Sequence, residues 1–401
     1  MKNKKIIFAG MLLLFTLLSA CAQYDSEDDF ETALSQDGKS VLITRYLGNE
    51  NEVRIPPRIK KLPVTGIGER AFNGCRYLTS VIIPNSVTNI GEGAFYECTN
   101  LKSVIIPNSV TSIGDIAFSV CTSLTSVTIG NGVTFIGERA FNGCWNLTSV
   151  IIPNSVTSIG EYAFYGCDGL TKINVDSNNT VYCSDSGILY NKNKTVLLTY
   201  PAGKTDVSFT IPNSVTVIGG YAFRKCASLT SITIPDSVVS IGSGAFAGCR
   251  GLTNVTIPNS VTSIGSGAFY DCQHLTSVKI PNSVTGIGSG AFAYCASLTG
   301  VIMPDGVTYI EKIAFAYCAS LTGITIPSSV TGIGLGAFTG CTSLTSVTFE
   351  GAIAPSEFNN SVRLSAFPGD LRDKFYADDP DNGTPGTYTR PNGGTEWTKQ
   401  N

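Results

Sequence analysis

The stretch Leu252-Thr253-Asn254-Val255-Thr256-Ile257-Pro258-Asn259-Ser260-Val261-Thr262-Ser263-Ile264-Gly265-Ser266-Gly267-Ala268-Phe269-Tyr270-Asp271-Cys272 decides how this chain is read. Leu252 to Ile257 ends in alternating apolar and polar residues, the pattern of a short strand with one buried face. Pro258 stops that strand, because it has no N–H to give a ladder, and Asn259-Ser260 favours a turn. Val261-Thr262-Ser263-Ile264 reads as a second short extended segment, closed by Gly265, whose backbone reaches angles other residues avoid. The next corner carries Ala268, small enough for crowded backbones, and Phe269, which fills an interior. A short helical or 3-10 turn is expected there.

Outward from this stretch the pattern repeats. Cysteines stand at 75, 98, 121, 144 and 167, then at 226, 249, 272, 295, 318 and 341, spaced by 23 residues within each run. Phe72, Phe95, Phe118, Phe141 and Phe164 keep step in the first run. Phe223, Phe246, Phe269, Phe292, Phe315 and Phe338 do so in the second. A leucine follows each of these cysteines by three residues, from Leu78 to Leu344. A single coil of this kind cannot hide its apolar flank, whereas stacked coils share a continuous core of Leu, Val, Ile, Phe and Cys ladders. The expected fold is a β-rich leucine-rich repeat solenoid. Its right-handed coils of about 23 residues carry short parallel strands and short helical or 3-10 corners. At about 4.8 Å per rung, eleven or twelve coils make a rod or shallow arc on the order of 55 Å long.

The recurring I-P-N-S-V-T-x-I-G-x-x-A-F-x-x-C-x-x-L resembles the BspA-like family of bacterial leucine-rich repeat proteins, from about Val53 to Phe349. That resemblance implies surface display, attachment to host extracellular proteins or neighbouring bacteria, and recognition by innate immune receptors. It names no ligand. The first residues carry a second resemblance. Lys2, Lys4 and Lys5 precede an apolar run from Ile6 to Leu18, too short to span a membrane, which ends in Leu18-Ser19-Ala20-Cys21. This is similar to a bacterial lipoprotein signal, which makes Cys21 the acylated N-terminus of the mature chain. Two or more acyl chains anchor stably, since each buried CH₂ contributes about 0.8 kcal/mol. An exported protein, lipid-anchored at the cell surface and expected at the outer membrane, follows from that resemblance.

The chain therefore divides into a signal peptide at 1–21, a flexible acidic tether at 22–40, a lead-in coil at 41–66 and a first block of repeats at 67–170. An inserted coil at 171–206 adds 36 residues to one period and reads as a β-hairpin around Asn191-Lys192-Asn193-Lys194. That hairpin either projects to extend a binding surface or packs as a decorated coil. The second block occupies 207–349, and a capping coil at 350–376 carries the displaced pair Ala366-Phe367. The polar tail at 377–401 contains an acidic linker, Asp378 to Asp381, and a candidate hairpin that would set Tyr388 opposite Trp397.

Composition narrows the function. Net charge is −3 and charged residues make up 14%, with Lys and Arg scattered, so nucleic acid is excluded as a partner. Twelve cysteines beyond Cys21 form no C-x-x-C and accompany one histidine, so no zinc site is expected, and their inward, parallel side chains read as buried free thiols. Cys183, in the insert, lacks repeat partners. The segment Gly286-Ile287-Gly288-Ser289-Gly290-Ala291 fits a dinucleotide fingerprint only by composition, because no parallel βαβ unit surrounds it. His274 has no nucleophile or orienting acid at a recurring position. No catalytic residue and no cofactor are expected, and serines and threonines read as surface filler.

What remains is the face of the first strand of each coil. Its outward pairs are Ser80 and Ile82, Ser103 and Ile105, Ser126 and Thr128, Ser149 and Ile151, Ser231 and Thr233, Asn254 and Thr256, Ser277 and Lys279. Hydroxyls dominate, with isoleucines gathered toward the N-terminal coils. Exposed isoleucine on a regular sheet suits a protein ligand, although strand propensity alone also selects it. The leading expectation is a surface adhesin or host-interaction lipoprotein whose partners are host or neighbouring-cell surface and matrix proteins. A non-binding structural or antigenic surface protein is the alternative, and an extracellular hydrolase a distant third.

Overall fold

The computed structural model describes residues 24–358 and 365–400; the signal segment and Cys21 lie outside them. Within it the repeat closes into a β-solenoid of about 13 turns, each of about 23 residues. The first strand of each coil is three or four residues long. Glu52–Arg54, Ser80–Ile82, Ser103–Ile105, Ser126–Thr128, Ser149–Ile152 and Lys172–Val175 form one parallel sheet. Ser80 lies opposite Ser103, and Ser103 opposite Ser126, so neighbouring strands pair at one full period. Ser208–Thr210, Ser231–Thr233, Asn254–Thr256, Ser277–Lys279 and Gly300–Ile302 repeat the arrangement in the second block. The second extended segment gives two-residue strands such as Ser263–Ile264, which stack into sheets of their own.

Phe rings form the spine. From Phe72 to Phe164 successive centroids lie 4.9 to 5.8 Å apart, with planes within 16° of parallel. From Phe223 to Phe338 they stack in the same way, at 5.0 to 5.4 Å. Beside this spine each cysteine is buried and free. In most coils the thiol donates to the Phe carbonyl of the preceding coil, as Cys272 does to Phe246 and Cys295 to Phe269, both at 3.2 Å. The ladder satisfies carbonyls that face the core, and burial pushes the Cys295 thiol up to about 12.

The hydroxyl residues are not filler. Thr148 donates to the Thr125 carbonyl and Thr125 to the Lys102 carbonyl, at 3.2 and 3.0 Å. Ser260 donates to the Val238 carbonyl at 2.7 Å, a bond repeated by Ser109, Ser155, Ser237 and Ser329. A short β-hydroxyl reaches the backbone one coil away, where a longer side chain would pass it. This use of Ser and Thr is invisible in one coil taken alone.

The corners also differ from expectation. Alternate N–H groups make local bonds, Ala268 to Gly265 and Tyr270 to Gly267, while those between them, at Gly267, Phe269 and Asp271, cross to the next coil. Half the donors are thereby diverted, so no helix or 3-10 run forms at the corners. Among the described residues the helices are a 3-10 turn at Glu27–Asp29 and one α-helix at Leu371–Phe375. Gly265 serves by size, not by conformation: a Cβ there would lie 2.5 Å from the Ser243 nitrogen.

Both ends are closed differently from the sequence reading. The tether expected at 22–40 is folded over residues 24–40: Phe30–Leu34 pairs antiparallel with Val41–Tyr46, and Phe30 is buried against Tyr46 and Phe72. Its acidic residues act as caps, Asp25 taking the Arg54 N–H and Glu27 the Lys60 N–H, both at 2.8 Å. An open first coil would leave the Phe72 ring wet, and this strand covers it.

At the other end Phe367 stacks on Phe338 at 4.5 Å, so the displaced Ala366-Phe367 pair does take the next rung. Beyond it the acidic stretch is a tight turn rather than a linker, the Asp379 carboxylate accepting the N–H groups of Asp381 and Asn382. Gly386–Thr389 runs antiparallel against Ser346–Phe349, and Thr398–Lys399 adds to it with Tyr388 opposite Lys399, not Trp397. Trp397 instead lies buried in the intervening loop, 5.1 Å beneath the Arg390 guanidinium. Arg390 is itself buried, and donates to the carbonyls of Leu344, Cys341 and Thr342 from the last coil and to that of Gly394. Arg390→Ala strips those carbonyls of their donor and is expected to cost about 2–4 kcal/mol in urea unfolding. A loss under about 0.5 kcal/mol would mean that water replaces the guanidinium.

The insert at 171–206 packs into the stack instead of projecting. Tyr182–Asp185, Ile188–Asn191 and Val196–Thr199 form an antiparallel meander whose last strand joins the next coil in parallel, Val196 opposite Val217. Leu189 belongs to the core of the first block, while Ile188 and Tyr190 belong to the core of the second. One strand thus sends alternate side chains into two cores.

Candidate binding surfaces

The stacked first strands place their outward residues in columns. Ile82, Ile105 and Thr128 are Cα partners in sequence, and Ile151 occupies the same place in the following coil. The three isoleucines are 50, 59 and 62% exposed, while the Val81, Val104 and Val150 between the outward positions are buried. Ser80, Ser103, Ser126 and Ser149 form the adjacent column. In the second block Ser231, Thr233, Asn254, Thr256, Ser277 and Lys279 are all exposed at the equivalent places. The expected outward set is therefore gathered on the faces of two sheets, one in each block.

Three features escaped the sequence reading. Ile302 is exposed in the column that holds Lys279, 23 residues further on. Beside it Gly300 and Gly323 leave a shallow depression of about 490 Å³, bordered by Ser277 and Lys279. Along the corner Tyr270, Tyr294 and Tyr317 form an exposed aromatic row with centroids 5.2 and 4.7 Å apart. The spacing of Tyr294 and Tyr317 is itself one period, a signal that the repeat carries. The third feature is a cleft of about 420 Å³ where the two blocks meet, lined by Tyr162, Tyr165, Asp168, Tyr200, Tyr221 and Arg224 among others. Nothing in one coil announces it, because it arises from what the insert displaces.

His274 is exposed and its Nδ1 contacts the Arg250 carbonyl. Among the described residues no group of three or more His, Cys, Asp or Glu side chains stands close enough to hold a metal ion. Nor, among them, is any helix long and apolar enough to cross a membrane.

The BspA type leucine rich repeat region matches in six copies, over residues 65–192, 204–322 and 308–367. The chain belongs to this family. Solved structures of leucine-rich repeat proteins agree. A leucine rich cell surface protein from Faecalibacterium prausnitzii is 31% identical, with 88% of this chain and 100% of that one covered and a TM-score of 0.59. Leucine-rich repeat proteins from Eubacterium ventriosum and Bacteroides ovatus are 30 and 29% identical. They cover 80 and 82% of this chain, 95 and 90% of their own, each with a TM-score of 0.57. No curated protein matches this BspA-type chain.

Proposed function

We propose that this BspA-type protein is a cell-surface lipoprotein, held by an acylated Cys21, that binds host or neighbouring-cell proteins over its sheet face. The observation that carries the reading is the in-register column of Ile82, Ile105 and Ile151, whose side chains stay in water although the coil has a core to receive apolar residues. Each isoleucine, a little over half exposed at most, gives up about 1–2 kcal/mol of burial, which a protein partner recovers. Serines flank the column on the outward face, so a flat partner surface can approach. The similar protein from Faecalibacterium prausnitzii is described as a cell surface protein, in keeping with display outside the cell.

The test uses purified residues 22–401 against immobilised extracellular-matrix and plasma proteins. Saturable binding is expected, and the triple variant Ile82→Ser, Ile105→Ser, Ile151→Ser should weaken it at least about tenfold at unchanged melting temperature. Absence of saturable binding, or a triple variant that binds like the parent, would remove the sheet face from consideration.

A further inference from the structure

Among the described residues the corner ladder is missing altogether at one corner. In nine corners the N–H groups of three alternate residues cross to carbonyls of the next coil, as Tyr221, Phe223 and Lys225 do to Ser243, Ala245 and Ala247 at 2.7 to 2.9 Å. At the corner of Tyr162, Phe164 and Gly166 none of the three equivalent N–H groups has a hydrogen-bond partner. The cause is the insert. Its strand Val196–Thr199 pairs with Ile188–Asn191, and that pairing removes the backbone that would otherwise lie over this corner. Tyr182 repairs one donor nearby, its hydroxyl accepting the Ile159 N–H at 3.0 Å.

The ring stack breaks at the same point. Phe164 stacks on Phe141 on one side, and Tyr200 resumes the spine against Phe223 at 5.1 Å, but Phe164 and Tyr200 make no ring contact with each other. Between them lies the cleft of about 420 Å³, within the size range of ligand pockets. Leu170, Leu189 and Leu198 line it, and Tyr162 and Tyr165 from one coil meet Tyr221 from the other at 5.3 and 5.1 Å. Asp168 also lines it. Its Oδ2 accepts Lys225 at 2.7 Å, while the buried Oδ1 has no hydrogen-bond partner and stands 3.6 Å from the Arg224 guanidinium.

We propose that this cleft is a docking site for an extended segment of a partner protein that carries a small residue followed by an aromatic one. Three alternate donors facing one way ask for three alternate carbonyls, which an extended backbone presents and a small polar molecule does not. The aromatic residue continues the stack on Phe164, and a donor beside it satisfies Asp168 Oδ1. Every other corner receives this chemistry from its own neighbour in the form of an Ala-Phe pair; here the rung is left for another chain. The proposal rests on the protein-binding role only for its class of ligand, since the cleft and the isoleucine column involve different residues.

The probe is the blocked peptide Gly-Ser-Gly-Ala-Phe-Ala-Gly, the sequence of residues 242–248, read by amide hydrogen exchange on residues 22–401. The amides of Tyr162, Phe164 and Gly166 are expected to exchange at least about a hundredfold faster than those of Arg139, Phe141 and Gly143, and to slow at least about tenfold on saturation with peptide. A peptide with Phe changed to Ser should not slow them. Ala202→Trp, which fills the cleft from its wall, should abolish the effect while exchange in the other coils stays as in the parent. The Ile82, Ile105, Ile151 triple variant should bind the peptide normally, so the two readings fail separately. Protection of the three amides in the free protein, no slowing at about 1 mM peptide, or an Ala202→Trp variant that binds like the parent would each overturn the proposal.

Discussion

Phe269→Ala is expected to lower the unfolding free energy by about 3–5 kcal/mol, the range for removing a fully buried aromatic ring. Phe269 is wholly inaccessible and stacks on both neighbours, Phe246 at 5.0 Å and Phe292 at 5.3 Å. Its loss therefore empties a site whose walls are rings held by their own neighbours, so the cavity cannot collapse without shifting the spine. Two stacking contacts, each about 0.5–1.5 kcal/mol beyond burial, disappear with it. Because coils touch only adjacent coils, the damage should be shared unequally: hydrogen exchange should rise around residues 246–295 far more than around 72–141. Urea unfolding and exchange together check this, and a uniform rise along the whole chain would contradict the neighbour-only picture.

A deletion tests the same architecture by register. Removing residues 252–274, one full period, should leave a folded protein shorter by one coil, because Leu229, Ile232 and Phe246 then meet Leu275, Val278 and Phe292 in equivalent places. Removing 252–271, three residues fewer, should abolish cooperative folding. The thiol, hydroxyl and ring ladders all step by the same 23 residues, as Thr253 to Thr230 and Thr276 to Thr253 illustrate. An offset of three residues breaks them together at the junction and sets polar residues of one side against the core ladders of the other. Circular dichroism and thermal melts decide the matter: a sharp transition in the shorter deletion would show that the coils re-register.

Most of the stack was legible because one period carries it. Phe, Cys and Leu at fixed spacing could face only inward, and the sheet face followed by alternation. What stayed hidden depends on contacts between elements with no shared period. Phe30 gave no repeat signal, so its strand read as tether; Arg390, over the Trp397 ring, meets the last coil from nearly fifty residues away; and the corners read as helical because half their N–H groups bond to a coil that local sequence does not display. The open donors at Tyr162, Phe164 and Gly166 are of the same kind, the result of pairing inside the insert.

The crosswise strand Gly386–Thr389 has one more implication. A pile of parallel rungs, cut flat, would offer each new molecule the template its own coils use, and end-to-end filaments would grow without limit. Turning the final strand against the grain, and following it with a two-residue partner that ends in a lysine, denies an incoming molecule that template. Edge-to-edge pairing of parallel rungs is thereby disfavoured along this sheet edge.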